Sequence, residues 1–218
     1  MKNKNYVIIP AKDEEKHIEK VIKNTKKYVK NIIVVDDGSK DKTSSIAKKN
    51  GAIVLRHSIN LGKGAALKTG CEYVKNKADI IIFMDSDGQH DPHDIPRFIK
   101  ELKKHDIVFG SRKINKKMPI IFRFGNFVIN GVSNILFHIK LSDTQSGFRA
   151  FKSNVYEKIK WKSKNYSVES EIIANSGKHN LKYKEIFIET IYNDRYKGTT
   201  VMDGIKIVKD MFIIKFLR

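Results

Sequence analysis

Along the first half of this chain, short apolar runs alternate with amphipathic stretches, and each apolar run ends in a polar loop. Residues 6–10 (YVIIP) lead through Ala11–Lys12–Asp13–Glu14–Glu15 into a segment with Ile18, Val21, Ile22 and Val29 on one helical face. That spacing predicts strand, loop and helix. Residues 31–37 repeat the unit, with Gly38 to turn the chain and residues 39–43 to start the next helix. A third strand is predicted over 52–56, followed by a loop to Gly64 and a small-residue helix from Ala65. The fourth covers 80–85, with a helix opening at Pro92 and running to Lys104, and the fifth covers 106–110. Strands joined by helical crossovers make an α/β fold with a mostly parallel, doubly wound sheet, whose ligands bind at the carboxyl ends of the strands. The first half is therefore a Rossmann-like nucleotide-binding unit.

Past Arg112 the pattern changes. Residues 119–139 are strongly apolar, with Phe124, Phe127, Val128, Gly131, Ile135 and Leu136 close to helical spacing and only Arg123 and His138 ionisable. Interrupted by Asn and Gly, this stretch reads as a core helix, with a lipid interface as the alternative. A strand over 149–152, a helix over 167–177 carrying Glu169 and Glu171, and a strand over 182–192 follow. Residues 201–218 form an amphipathic basic helix, with Ile205, Val208, Met211, Phe212, Ile214 and Phe216 among Lys206, Lys209, Lys215 and Arg218. Membrane-surface binding and simple packing both fit it. No 18-residue apolar run is present to span a bilayer, and residues 1–5 run straight into a strand without a signal peptide.

Composition narrows the choice of partner. The 218 residues, 40% hydrophobic and 31% charged, suit one globular domain, expected over 1–200, with 201–218 as an appended helix. A net charge of +19 calls for anionic partners: nucleic acid, an anionic membrane face or phosphorylated substrates. The chain has no nucleic-acid motif and its basic residues are dispersed, so nucleic acid is not the expected partner. Cys71 is the single cysteine, which excludes an internal disulfide and fits a reducing, cytosolic setting.

The chemistry concentrates in residues 80–92, IIIFMDSDGQHDP, where a buried strand delivers Asp85, Asp87 and Asp91 to its carboxyl end. Clustered carboxylates without Cys suit a hard cation, Mg²⁺ or Mn²⁺, and such a cation suits a diphosphate. Taken alone, an Asp-x-Asp is equally a pair of turn and cap formers. Gly62–Lys63–Gly64 lacks the spacing of a P-loop because Gly64 and Ala65 follow Lys63, and no strand leads into G-x-G-x-x-G.

Six segments together resemble the family-2 glycosyltransferases of GT-A fold, and within them the dolichyl-phosphate and polyprenyl-phosphate sugar synthases. They are Ile8-Ile9-Pro10-Ala11-Lys12-Asp13-Glu14, Val34-Val35-Asp36-Asp37-Gly38-Ser39, Asn60-Leu61-Gly62-Lys63-Gly64, Asp85-Ser86-Asp87-Gly88-Gln89-His90, Gly110-Ser111-Arg112 and residues 142–149, SDTQSGFR. The resemblance covers about residues 6–200 and implies a nucleotide-sugar-binding half over 1–112 and an acceptor-binding half over 113–200. It implies Pro10, Lys12 and Glu14 lining the nucleotide pocket, with Asp36 or Asp37 at the base or ribose. Lys12 departs from the aromatic or asparagine residues often found there. Lys63, Asp85 and Ser86 join the donor site, Asp85, Asp87 and Gln89 are the implied metal ligands, and Arg195 and Lys197 belong to a basic loop over the donor diphosphate.

The acceptor decides what else is needed. A diphosphate leaving group needs its developing charge neutralised. A sugar hydroxyl acceptor also needs a general base, for which Asp143 is the candidate. A polyprenyl monophosphate is already an oxyanion and needs only cations to hold it: Arg112, Arg123 and Arg149, whose planar forks suit phosphate oxygens. The expected activity is inverting sugar transfer to dolichyl or polyprenyl phosphate at the cytosolic membrane face. UDP-sugars such as UDP-glucose or UDP-N-acetylglucosamine stand slightly ahead of GDP-mannose, because Asn60-Leu61-Gly62-Lys63-Gly64-Ala65-Ala66 looks more like the glucose branch.

Overall fold

The structure is a computed structural model. It describes residues 4–112, 120–164, 167–189, 191 and 201–217, with 120–127, 201–205 and 217 described by their backbone alone. Seven strands form one sheet: β1 (Asn5–Ala11), β2 (Asn31–Asp36), β3 (Ile53–Arg56), β4 (Ile80–Phe83), β5 (Ile107–Arg112), β6 (Arg149–Lys152) and β7 (Tyr183–Ile188), in the order β3-β2-β1-β4-β6-β5-β7. The expected mostly parallel α/β sheet is present. β1 runs parallel to β2 and β4, β2 to β3, and β5 to β7.

The order of strands comes from the structure alone. The fifth strand does not lie beside the fourth, because β6 inserts between them, antiparallel to both. The register pairs Arg149, the first residue of β6, with Phe83, the last of β4. The loop entering β6 therefore crosses the rim where β4 ends.

The central strands are buried on both faces, which explains their unbroken apolar runs. Alternation along β1 sends Val7 and Ile9 to one face, against α1 (Ile18–Thr25) and α4 (Ile95–Glu101). Ile8 goes to the other face, against α3 (Lys63–Val74), α7 (Val168–Lys178) and the buried Trp161. The helix expected over 92–104 is broken: Asp91 accepts the His93 N–H at 2.9 Å to cap a single 3₁₀ turn, and α4 begins only at Ile95.

Helices α5 (Ile120–Phe137) and α8 (Val201–Leu217) pack on the same side as α7. Ile207 and Met211 of α8 are buried in that core, so packing accounts for one face of the helix. The opposite face carries Phe212 and Phe216, 47% and 68% exposed and stacked at 6.3 Å, and α5 presents Ile135, 75% exposed. Among the described residues, no helix is long and apolar enough to cross a membrane.

Candidate active site

A cleft of about 380 Å³ opens at the carboxyl ends of β1, β2 and β4. Its walls come from the loops that the strand pattern places there: Pro10, Ala11, Lys12 and Glu14 after β1, Asp37 after β2, Asn60, Gly62 and Lys63 before α3, and Asp85, Ser86 and Asp87 after β4. Eight of the sequence-predicted donor-site residues are thus brought to one opening: Pro10, Lys12, Glu14, Asp37, Lys63, Asp85, Ser86 and Asp87.

Cross-bonds to the start of α2 (Thr43–Lys49) hold the loop after β1. The N–H groups of Asp13, Glu14 and Glu15 donate to Ser39 Oγ (2.9 Å), Thr43 Oγ1 (2.8 Å) and Asp41 Oδ2 (3.0 Å). Gly38 permits a second close approach, that of the loop after β3. Its φ is +74°, and a Cβ there would lie 2.6 Å from the main-chain carbon of Ile59.

Asp36 and Asp37 divide at this junction. Asp36 is fully buried; it accepts the Ser39 N–H at 2.8 Å and the Ser44 hydroxyl, with Arg56 Nε at 3.6 Å. It does not line the cleft and is taken up by the turn, which leaves Asp37 as the one of the two expected alternatives at the opening. Asp37 lines the cleft but is anchored from behind. Its carboxylate accepts the N–H groups of Leu61 (2.8 Å) and Gly62 (2.7 Å) and meets His57 Nδ1 at 2.8 Å.

The Asp85 and Asp87 pair is arranged differently. Asp87 Oδ1 takes the Gln89 N–H at 2.9 Å, a local turn contact that leaves its carboxylate on the cleft wall. Asp85 meets Lys63 Nζ at 2.8 Å, and the same ammonium lies 3.0 Å from Glu169 Oε1 of α7. Burial alone would raise the Asp85 carboxyl, but Lys63 beside it holds it at about 2. Burial would likewise lower the Lys63 ammonium, and the two carboxylates push it well above its usual range. His90 is buried and stacked on Phe148 at 5.0 Å; its Nδ1 accepts the Asp85 N–H at 3.1 Å, which puts the ring proton on Nε2. Burial lowers its basicity, so the neutral ring braces Asp85 from behind.

Glu169 carried no assigned role in the sequence, and neither did Gly147. A Cβ on Gly147 would stand 2.7–2.8 Å from the Asp85 carboxylate oxygens and 2.9 Å from Lys63 Nζ, so a larger residue in the loop before β6 would push this ion cluster out of its present geometry. The neighbouring Glu171 has a scaffold role. It accepts the N–H groups of Lys162 (2.7 Å) and Ser163 (3.0 Å), and residue 164 in turn accepts the Ala65 N–H at 3.2 Å, fastening this loop over the start of α3.

The arginines expected at an acceptor phosphate separate in the same way. Arg112 forms a two-point pair with Asp143, Nε to Oδ2 at 2.6 Å and Nη2 to Oδ1 at 3.0 Å. Burial would raise the Asp143 carboxyl, but Arg112 holds it below its ordinary value. Arg149 is buried, and its guanidinium donates to three main-chain carbonyls, those of Ser146 (3.1 Å), Glu169 (2.8 Å) and Thr144 (2.9 Å). In this structure it ties the 144–149 loop to α7 and is not presented to an acceptor, a correction to its expected role. The side chain of Arg123, and Arg195 and Lys197 altogether, lie outside the described residues.

The residues present fit a hard divalent ion. Among the described residues, no group of three or more His, Cys, Asp or Glu side chains converges as an all-protein metal cage. Asp85 and Asp87 instead offer oxygen ligands on a cleft wall, with half-buried Gln89 next to them. Two carboxylates, with the rest of the shell left to phosphates and water, is how Mg²⁺ is usually held.

The profile of glycosyl transferase family 2 matches residues 6–187, which takes in every wall of this cleft. The chain belongs to glycosyltransferase family 2. This family-2 glycosyltransferase is 43% identical over 226 residues to an uncharacterised protein of Methanocaldococcus jannaschii, covering 98% of this chain and 93% of that one. It is 34% identical over 239 residues to the UDP-N-acetylglucosamine–dolichyl-phosphate N-acetylglucosaminyltransferase of Methanococcus voltae, covering 96% and 95%. A glucosyl-3-phosphoglycerate synthase of Mycobacterium tuberculosis, solved with Mn²⁺, UDP and phosphoglyceric acid, superposes with a TM-score of 0.75 at 18% identity, covering 98% of this chain and 77% of that one. This last likeness speaks for the GT-A fold.

Proposed function

We propose that this glycosyltransferase moves a sugar, with inversion, from a UDP-sugar to dolichyl or polyprenyl phosphate, using Mg²⁺ or Mn²⁺. One observation carries the choice of acceptor: Arg112 grips both oxygens of Asp143 and holds its carboxyl below the usual range. A carboxylate so paired is a poor general base. A lipid phosphate needs none, because its own oxygen is the nucleophile. The Methanococcus voltae relative, named for UDP-N-acetylglucosamine and dolichyl phosphate, supports this choice and favours a uridine donor.

In this reading Pro10, Lys12, Glu14 and Asp37 receive the nucleoside, and Asp85, Asp87 and Gln89 hold the metal. Bound there, the ion would neutralise charge developing on the leaving diphosphate. Lys63 adds a positive charge in the same wall, and Arg195 and Lys197 close over the diphosphate. Arg112 and Arg123 orient the acceptor phosphate. Residues 1–112 form the donor half and 113–200 the acceptor half. The outward face of α5 and α8, with Ile135, Phe212 and Phe216 beside Lys206, Lys209 and Lys215, rests on the anionic cytosolic face of a membrane, where the acceptor phosphate lies.

The test is transfer of radiolabelled sugar from UDP-N-acetylglucosamine, UDP-glucose and GDP-mannose to a short polyprenyl phosphate, with Mn²⁺ or Mg²⁺. Label in the organic phase from a UDP-sugar is expected. Label confined to water-soluble products overturns the lipid acceptor, and label from GDP-mannose alone overturns the uridine donor.

A further inference from the structure

The ammonium of Lys63 pairs with a carboxylate that the proposed function would give to a metal ion. It stands 2.8 Å from Asp85 Oδ1, on an aspartate that lines the cleft and ends β4. It is not a surface ion pair: the Lys63 side chain is 18% exposed, and Gly147 packs directly under the contact. The second partner, Glu169, is 5% exposed in its side chain and holds the ammonium at 3.0 Å through Oε1. Its other oxygen, Oε2, is buried with no hydrogen-bond partner among the described residues. Two carboxylates thus share one ammonium, and a buried carboxylate oxygen without a partner is costly.

We infer that Lys63 is the resident counter-cation of Asp85 when no donor is bound, and that Glu169 is a positioning residue that holds Lys63 in reserve when a divalent ion takes its place. The inference rests on the metal-dependent reading above. The physical argument is one of competition. An ammonium against Asp85 neutralises the negative charge that would draw a divalent ion, so the two cations oppose one another at that carboxylate. Glu169 offers the ammonium a second seat, so that Lys63 can leave Asp85 without becoming an unpaired buried charge. A donor diphosphate brings the negative charge that makes metal and ammonium compatible in one cleft. Metal and nucleotide are therefore expected to bind with positive coupling, because each removes an obstacle to the other.

The experiment measures Mn²⁺ binding to the donor-free protein by the loss of the free-ion paramagnetic resonance signal. UDP binding is measured separately, with Mn²⁺ present, and variants are compared by circular dichroism and melting. Lys63→Met is expected to bind Mn²⁺ roughly tenfold tighter than the unsubstituted protein, within the usual range of site-to-site coupling, and to bind UDP more weakly. Glu169→Gln keeps Lys63 but weakens its second seat, and is expected to bind Mn²⁺ several-fold more weakly. That shift would not come from a purely structural carboxylate in a variant that melts normally. Equal Mn²⁺ affinity in Lys63→Met and the unsubstituted protein, with binding abolished by Asp87→Asn, overturns the inference and leaves the metal-dependent reading standing. Mn²⁺ binding untouched by Asp87→Asn overturns both. Should Lys63→Met fail to fold, Glu169→Gln decides alone, and an unchanged Mn²⁺ affinity in it refutes the role of Glu169.

Discussion

Two pairs of aspartates end β2 and β4, the parallel strands on either side of β1, and they have opposite fates. After β2, Asp36 and Asp37 accept from main-chain N–H groups, a hydroxyl and an imidazole, so the pair builds the loops around the cleft. After β4, Asp87 takes a single N–H from its own turn, and Asp85 takes an ammonium. Their carboxylates face the opening as charge to be used. An acidic pair at a strand end is therefore scaffold or chemistry according to what the backbone asks of it. Where amide hydrogens converge on a carboxylate they fix its place in the fold, as for Asp37 on the cleft wall, and where they do not, its oxygens are left to a cation.

The comparison can be broken from either side. The largest expected effect is in Asp87→Ala: sugar transfer falls by roughly 10²–10³-fold, the scale of losing one electrostatic contact to a leaving group, while the melting temperature stays where it was. Loss of fold in that variant would erase the distinction between the pairs. Next is Asp37→Ala, which strands the Leu61 and Gly62 N–H groups. It should lose roughly 2–3 kcal/mol of stability in denaturant unfolding. Full stability in Asp37→Ala would make the β2 pair as expendable to the fold as the β4 pair.

Asp143 sharpens the same question at the acceptor side. A general base is worth roughly 10²–10⁴-fold, whereas an aspartate that only steadies Arg112 is worth about tenfold or less. Asp143→Asn should show the smaller loss, and a loss on the larger scale with donor binding intact would restore a saccharide acceptor. The smallest effect is on stability against pH. The folded Asp143 carboxyl sits below its ordinary value of 3.8, so its contribution is complete above about pH 4 and is lost as the pH falls. Asp143→Asn should lower stability across the neutral range and flatten that acid limb in pH-dependent melts, the two proteins converging at low pH.

Much of this molecule was legible in the sequence because its first half obeys local rules. The β2 and β4 runs are apolar from end to end because both faces of their strands are covered, and their turns carry Gly38 and the Asp residues those turns need. The cleft followed from that order. What was hidden depended on contacts between distant segments. Four residues, 149–152, announce a strand but not that it inserts antiparallel between β4 and β5. Arg149 has the residue type of a phosphate ligand, and only the path of the 144–149 loop turns its guanidinium onto carbonyls. Glu169 reads as one of two acids in the first turn of α7, and its role exists only through Lys63 on α3. Residue type reveals which chemistry a side chain can perform, and tertiary packing decides where it points.

The central claim is that the β4 pair, and not the β2 pair, meets the donor through a metal. Calorimetric titration of UDP into the unsubstituted protein and Asp87→Ala, each with and without Mn²⁺, tests it most directly. The account predicts UDP binding that requires Mn²⁺ in the unsubstituted protein and is lost in a folded Asp87→Ala. Mn²⁺-dependent UDP binding of equal strength in both proteins would contradict it.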